Sequence, residues 1–299
     1  MKIYDCFQFF DEEMLLNLRL NILDKYVDKF VITEATYMHN GKPKKLNFDI
    51  KKYNRFKDKI IYIVVDRQPP DLFRIKESDK DSNDTRGQKL VLNGYKRDNY
   101  QRQMAQKSLE NIDPEDWVII NDIDEIPNLK NLNLNEIKKK LIIFKQKIFY
   151  YKFNLLYPNV PWFGSRACKK KNFISPQWLR NTKHKKYPLW RLDIMFSKKK
   201  YNNIFYVANG GWHFTNIRTP KDLEKKLLNY THHYEFEQSG LNVNDLSKKI
   251  SEKKIIYDHS VDQKKFKWGS EKTLTKIDLS EMPDFLKNNY RSYASWLEI

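Results

Sequence analysis

Strand signals and helix signals alternate along the first 127 residues, and this order constrains the fold more than any other feature. Short apolar runs occupy residues 3–9, 29–35, 59–65 and 116–122. After the first run, Asp11 provides a helix N-cap, and apolar residues recur at helical spacing over residues 14–27. Residues 88–111 are also helix-like. The alternation predicts an α/β fold with a doubly wound, mostly parallel sheet and helices on both faces.

The second half of the chain is less regular. Residues 148–157 and 190–196 are typical of strands, and Thr219 followed by Pro220 predicts a helix that runs to about Glu237. The polar segment 66–87 is predicted to be a long loop. No internal repeat or Gly/Ser linker divides the chain. We therefore expect one continuous domain over residues 1–299, with an elaborated C-terminal half.

Charge and cysteine content exclude several classes of protein. The chain has 56 Lys and Arg against 38 Asp and Glu, a formal net charge of +18. Such a charge suits nucleic acid, an anionic membrane surface or phosphorylated substrates, but the lysines are scattered and no nucleic-acid-binding motif accompanies them. No apolar run approaches the ~20 residues of a membrane-spanning helix. Acidic residues interrupt the N-terminus, and two cysteines make no disulfide scaffold, so we expect a soluble cytoplasmic protein.

The strongest candidate site is the segment Asp122-Ile123-Asp124-Glu125, at the end of an apolar strand. In an open parallel sheet, ligands bind outside the carboxyl ends of the strands. Two carboxylates one residue apart can both reach a hard divalent cation there. Such a cation would neutralise the charge that develops on a diphosphate leaving group. A polar strand-to-loop transition is the alternative interpretation.

Two further segments carry groups that suit a phosphorylated sugar. In Gly210-Gly211-Trp212-His213 the glycines permit close backbone approach, the indole offers a flat face for a sugar, and the imidazole can bind a metal. The alternative is a tight turn with a buried Trp and a satisfied His. Arg97 and Arg102 lie on the helix that precedes the strand before Asp122 and Asp124, which we call the D-x-D segment. Guanidinium groups suit diphosphates. A solvated helix face is the alternative there.

The remaining candidates are weaker. Glu34 ends the second strand and can accept from a ribose or a base, while Lys42 and Lys44 follow it and can meet phosphate. An ordinary turn explains them equally well. His233 and Glu235 lie on one predicted helix near a possible cleft, although a solvated surface is the default expectation. No Walker A, G-x-S-x-G, G-x-G-x-x-G or C-x-x-C motif is present, which argues against the corresponding enzyme classes.

Taken in order, these motifs resemble glycosyltransferase family 17, the β-1,4-mannosyl-glycoprotein N-acetylglucosaminyltransferases. The matching pieces span roughly residues 1–236 and are Tyr4-Asp5-Cys6-Phe7-x-Phe9-Phe10 with Glu12 or Glu13, Phe30-Val31-Ile32-x-Glu34, Gly41-Lys42-Pro43-Lys44, Gln101-Arg102, Asp122-x-Asp124-Glu125-Ile126-Pro127, Gly211-Trp212-His213 and His233-x-Glu235-Phe236. The resemblance implies a GT-A (Rossmann-type) fold, a UDP-GlcNAc donor and inversion at the anomeric carbon. It also implies a divalent metal, Mn²⁺ with Mg²⁺ as the alternative.

Together, motifs and resemblance assign roles to particular residues. The expected metal ligands are Asp122, Asp124 and His213. The expected donor-binding residues are Glu34, Lys42, Lys44, Arg97, Arg102, Asp122 and Trp212. The base that deprotonates the acceptor is expected among Glu235, Glu125 and His233, and the sequence does not choose between them. Residues 1–127 would form the nucleotide-sugar-binding half, and residues 128–299 the acceptor half with the C-terminal helices.

The expected partners are a nucleotide-sugar donor and a glycan or lipid-linked saccharide acceptor. The chain lacks the membrane anchor and stem of the animal enzymes, so a soluble relative that decorates a surface glycan fits better. The net charge permits peripheral contact with an anionic membrane, and no specific nucleic acid is expected. Two alternatives stay open, a nucleotidyltransferase that acts on sugar phosphates and a non-catalytic basic nucleic-acid-binding protein.

Overall fold

A computed structural model describes residues 1–75, 82–188, 190–194, 196–258 and 267–298. The strands are β1 (Ile3–Gln8), β2 (Lys29–Ala35), β3 (Ile60–Val65), β4 (Trp117–Ile120), β5 (Glu125–Pro127), β6 (Leu141–Phe144), β7 (Gln146–Tyr150), β8 (Leu155–Trp162), β9 (Arg166–Lys169), β10 (Ile204–Val207), β11 (Gly211–Thr215) and β12 (Thr275–Lys276). The α-helices are α1 (Glu13–Leu23), α2 (Asn83–Gln103), α3 (Pro176–Asn181), α4 (Pro220–Leu227), α5 (His233–Ser239), α6 (Val243–Ser251) and α7 (Asp284–Asn288). Short 3₁₀ helices occupy Ile50–Phe56, Met104–Ser108, Lys170–Asn172, Leu192–Ile194, Leu279–Glu281 and Tyr290–Trp296.

The larger sheet has seven strands in the order β10-β6-β9-β4-β1-β2-β3. Strands β4, β1, β2 and β3 are mutually parallel, whereas β9 runs antiparallel between β4 and β6. The four residues of β4 are all buried, as expected for a strand covered on both faces. Successive side chains of β1 point into different clusters: Phe7 packs with helix α1, and Cys6 packs with Ala105 and Leu179 on the other face. The sheet is therefore covered on both faces.

A second sheet has five strands in the order β12-β8-β7-β11-β5. In this sheet β7 and β11 are parallel, and the other three pairs are antiparallel. The prediction of an α/β fold is confirmed, but the chain builds two mixed sheets where one mostly parallel sheet was expected. Among the described helices, none combines the length and the apolarity needed to cross a bilayer.

Several predicted elements of the second half are wrong in extent or type. Residues 148–157, predicted to be one strand, contain the end of β7, a turn with Tyr151 at φ 63°, and the start of β8. Within the predicted strand 190–196, of which residue 195 lies outside the described residues, a 3₁₀ helix forms at Leu192–Ile194. The helix capped by Thr219 ends at Leu227, and α5 begins separately at His233.

The predicted loop 66–87 is shorter than expected at its C-terminal side. Helix α2 begins at Asn83, where the Ser82 side chain accepts a hydrogen bond from the Thr85 amide. Residues 76–81 of that predicted loop lie outside the described residues. Helix α2 begins before the predicted helix at residues 88–111 and also ends before it, at Gln103. Met104–Ser108 continues the chain as a 3₁₀ helix.

The connection between the two sheets positions the D-x-D segment. Strands β1 and β4 are parallel, with Cys6 opposite Ile120, so both strands end at the same edge of the sheet. The chain then passes through Asp122 and Asp124 into β5, which pairs antiparallel with β11 and sets Glu125 opposite His213. His213, which follows Glu125 by 88 residues in the sequence, is thus brought to the D-x-D segment.

Candidate active site

A cavity of about 300 Å³ opens at the carboxyl ends of β1 and β4. Its walls come from the segments after β1 and β2, from α2, from the D-x-D segment, from β11 and from the α4–α5 connection. Its ionisable lining residues include Glu12, His39, Asp98, Arg102, Asp122, Asp124, His213 and Lys226. The position agrees with the rule that open α/β sheets bind ligands outside the carboxyl ends of their strands.

The Asp122 carboxylate is held by two arginines. Arg102 Nη2 donates to Oδ1 at 3.0 Å, and Arg180 Nη2 donates to Oδ2 at 2.6 Å. Arg102 also donates to both oxygens of Asp98 at 3.1 Å, which is the i,i+4 pair on α2. Burial alone would raise the pKa of Asp122, but the guanidinium groups of Arg180 and Arg102 hold it well below its usual range. Asp122 is therefore ionised at the edge of the cavity, and the two arginines balance its negative charge.

Asp124 and His213 form a second pair in the cavity. Asp124 Oδ1 lies 3.5 Å from His213 Nε2. The imidazole stacks on Trp162 at a centroid distance of 4.5 Å, and its buried Nδ1 has no hydrogen-bond partner among the described residues. Burial would raise the pKa of Asp124, but His213 and then Lys226 lower it below its usual value. Hence Asp124 is also ionised.

Glu125 lies beneath this site and is fully buried. Its carboxylate accepts from Arg180 at 2.6 and 2.8 Å, from Trp162 Nε1 at 2.6 Å and from the backbone amide of Asp122 at 3.0 Å. Gly164 leaves room for the cluster, because a Cβ at that position would lie 2.0 Å from Glu125 Oε1. With both oxygens engaged, Glu125 fixes Arg180 and Trp162 in place.

A buried ion pair fixes the backbone of the D-x-D segment from below. Arg19 on α1 binds Asp5 on β1, Nη2 to Oδ1 at 2.6 Å and Nε to Oδ2 at 2.8 Å, and both side chains are fully buried. Its Nη1 donates to the carbonyl oxygen of Glu125 at 2.7 Å and to that of Asp122 at 3.3 Å. The Asn121 amide also donates to Asp5 Oδ1 at 2.6 Å. Asp5 and Arg19 thus act as positioning residues for this segment.

Metal-binding geometry is only partly assembled. Within the described residues, no group of three or more His, Cys, Asp or Glu side chains is close enough to hold an ion. Of the three predicted metal ligands, Asp124 and His213 lie side by side, while Asp122 points to Arg102 and Arg180. The donor types, carboxylate oxygen and imidazole nitrogen, are those that Mn²⁺ accepts.

Several predicted donor-binding residues lie away from the cavity lining. Glu34 is buried and accepts from Lys44 Nζ, the Asn47 amide at 2.7 Å and Tyr62 Oη at 2.8 Å, which orders the loop after β2. Lys42 is exposed to solvent. Arg97 donates to the His39 carbonyl oxygen at 3.0 Å and packs against Gly41, so it supports the turn that carries His39 to the cavity.

Trp212, His233 and Glu235 also lie outside the 300 Å³ cavity. Trp212 lines a larger surface groove of about 660 Å³ and donates from Nε1 to the Glu281 carbonyl oxygen at 2.9 Å. His233 is buried and Nδ1 lies 2.9 Å from the Tyr230 carbonyl oxygen, while burial lowers its pKa. The Glu235 carboxylate is 41% exposed and pairs with His232 Nδ1 at 2.9 Å.

Sequence reasoning missed three groups at the site. Arg180 comes from α3, a six-residue helix without a motif, and its isolated position gave no signal. His39 lines the cavity, with Nδ1 3.1 Å from Thr231 Oγ1, and burial lowers its pKa. Lys226 reaches the cavity from α4 and donates to Asn216 Oδ1 at 3.1 Å. The D-x-D spacing, in contrast, did locate the centre of the site.

Comparison with known proteins decides the family. The model of glycosyltransferase family 17 matches residues 1–297, nearly the whole chain. The chain belongs to glycosyltransferase family 17. This family 17 chain is therefore a glycosyltransferase, an enzyme that needs a sugar donor and an acceptor.

Other comparisons add little to the family match. A search of curated proteins finds no match. Among solved structures, HddC from Yersinia pseudotuberculosis is similar at 10% identity with a TM-score of 0.32, covering 70% of this chain and 91% of that one. HddC complexed with GMP-PN gives 12% identity and a TM-score of 0.34, with 76% and 98% covered. Scores this low support no argument about fold or function.

Proposed function

We propose that the 300 Å³ cavity is the donor site of a GT-A-type glycosyltransferase that transfers GlcNAc from UDP-GlcNAc, with inversion, to a glycan or lipid-linked saccharide. The observation that carries this proposal is the convergence of Asp122, Asp124, His213 and Arg102 on one cavity at the strand ends. Family 17 membership supports sugar transfer, and the resemblance noted above supplies the choice of donor.

We further propose that Asp124 and His213 hold a divalent ion, Mn²⁺ or Mg²⁺, with Asp122 as a third ligand. The carboxylate of Asp124, which lies 3.5 Å from His213 Nε2, supports this assignment. When bound, such an ion neutralises charge on a departing diphosphate. Arg102 and Lys226 line the same cavity and bring two further cations towards a bound diphosphate.

For the acceptor, Glu235 is the preferred base among the three predicted candidates. Inversion requires one group that takes the proton of the attacking hydroxyl. Glu125 holds Arg180 and Trp162 with both oxygens, and the His233 side chain is almost entirely buried. The Glu235 side chain is 41% exposed and stays ionised, because its hydrogen bond with His232 lowers its pKa.

Calorimetric titration of a nucleotide-sugar panel, with and without Mn²⁺, tests the donor and the metal together. We expect Mn²⁺-dependent binding of UDP-GlcNAc that is lost in Asp124→Ala. Glu115→Gln is the matched control, since Glu115 is an exposed carboxylate paired with Lys169 and Lys171 near the opposite end of β4.

The other outcomes separate the parts of the proposal. Binding of a different nucleotide-sugar would replace the donor but keep the site. Equal binding in the presence of EDTA would refute the metal. Absence of binding by every member of the panel would refute the donor site itself.

A further inference from the structure

An aromatic cluster lies beside the cavity and is not part of its lining. We define the aromatic shelf as Tyr95, His232 and Tyr257. The Tyr95 ring lies 5.4 Å from the His232 ring, edge-on at 86°, and the Tyr257 ring lies 6.0 Å from it at 44°. Tyr95 remains 41% exposed, so the shelf presents aromatic surface to solvent.

The shelf is rigid because both ring nitrogens of His232 are engaged. Nε2 lies 2.9 Å from Tyr95 Oη, and Nδ1 lies 2.9 Å from Glu235 Oε1. This chain of hydrogen bonds fixes the imidazole between a phenol and a carboxylate on two different helices. A ligand would therefore meet preorganised rings, which reduces the entropy lost on binding.

Two segments connect the shelf with the cavity. Asp98 lies three residues after Tyr95 on α2 and lines the cavity. Tyr230 and Thr231 also line the cavity, and they directly precede His232. The Tyr230 ring lies 5.6 Å from the His232 ring, so aromatic surface continues from the cavity wall to the shelf.

We propose that the aromatic shelf is the acceptor subsite and binds a saccharide unit of the acceptor. This inference rests on the proposed function, because an acceptor must approach the anomeric carbon of a donor held in the cavity. Aromatic faces pack against the apolar C–H faces of sugar rings, and a carboxylate at their edge accepts hydrogen bonds from hydroxyl groups. Tyr95 supplies the exposed face and Glu235 the carboxylate, the same group that we propose as base.

Binding of three neutral oligosaccharides, chitotetraose, mannotetraose and maltotetraose, tests the subsite by calorimetry and saturation-transfer NMR. The wild type is expected to bind at least one of them. Tyr95→Ala should weaken that binding about tenfold, whereas Tyr95→Phe, which keeps the ring, should stay within about twofold. Tyr290→Ala is the matched control, because Tyr290 is a similarly exposed tyrosine (44%) on another part of the surface.

UDP release from UDP-GlcNAc without acceptor, measured in the same variants, separates this inference from the proposed function. We expect the control variant Tyr290→Ala to leave that release unchanged. If saccharide binding survives the loss of the Tyr95 ring, or if no oligosaccharide of the three binds the wild type, the acceptor subsite is overturned while the donor site stands. If the wild type neither binds nor hydrolyses a nucleotide-sugar, the proposed function fails, and saccharide binding by the shelf is then judged by the calorimetry alone.

Discussion

Replacing Arg19 by Met should destabilise the protein strongly and disable the D-x-D segment. Arg19 and Asp5 are fully buried, so the variant leaves the Asp5 carboxylate without its counter-ion. Loss of one partner from a buried ion pair costs about 3–5 kcal/mol. The carbonyl oxygens of Asp122 and Glu125 also lose a donor, and each lost hydrogen bond costs about 1 kcal/mol. We therefore expect the free energy of unfolding to fall by about 5–7 kcal/mol.

A double variant separates the charge from the positioning role. Asp5→Asn combined with Arg19→Met removes the unpaired charge. The amide oxygen introduced at position 5 can still accept the hydrogen bond that Asn121 donates to Asp5 Oδ1 in the native protein. This double variant should recover about half of the lost stability. Activity should stay low, however, because the backbone carbonyls of the D-x-D segment still lack the guanidinium of Arg19.

Urea unfolding followed by tryptophan fluorescence, together with UDP release from the proposed donor UDP-GlcNAc, measures both effects. Arg55→Met is the control: Arg55 pairs with Asp24 on the surface and is 69% exposed, so its loss should cost less than about 1 kcal/mol. A loss of about 1 kcal/mol or less in Arg19→Met would refute the energetic argument. Recovery of wild-type activity in the double variant would refute the positioning role.

Three further predictions follow from the same contacts. Gly164→Ala should lower the unfolding free energy by about 2 kcal/mol in urea titrations, since its Cβ would collide with Glu125 Oε1; an unchanged midpoint would contradict this. Asp122 has a folded-state pKa below the unfolded value of about 3.9, so the stability it contributes is complete above that pH and declines as the pH falls towards the folded-state value. The stability difference between wild type and Asp122→Asn should therefore shrink between pH 5 and pH 3, measured by urea unfolding at each pH. Cys6 and Cys168 are buried and burial raises the pKa of both thiols, so Ellman's reagent should react with them only after unfolding; rapid reaction in the native protein would disprove their burial.

The strands of the first half could be predicted because their pattern is local. The run of residues 29–35 predicts β2 with the bounds that the structure has, since six of its seven residues are buried. The apolar run at residues 116–122 likewise contains β4. A strand buried on both faces has a continuous apolar sequence, so its prediction needs no information from elsewhere in the chain.

Elements of the second half could not be predicted in the same way, because distant contacts decide them. The glycines before Trp212 and His213 suggested close approach of a ligand. Instead, a Cβ on Gly211 would lie 2.1 Å from the Ile126 carbonyl oxygen, so the residue permits β11 to pack against β5. The same pairing brings His213 to Asp124, a contact that spacing along the chain cannot show.

The side chains that contact Asp122 and Asp124 were the least predictable part of the site. They differ between the two aspartates, and so do the roles that we infer for the two carboxylates. Asp122 is neutralised by Arg102 and Arg180, which come from α2 and α3. Asp124 has no arginine partner within the described residues and lies beside His213. Two guanidinium groups already balance the charge of the Asp122 carboxylate, so it attracts a cation less strongly than the Asp124 carboxylate beside an imidazole. For the proposed metal ion, Asp124 is therefore the carboxylate on which affinity should depend most, whereas Asp122 holds Arg102 and Arg180 in place.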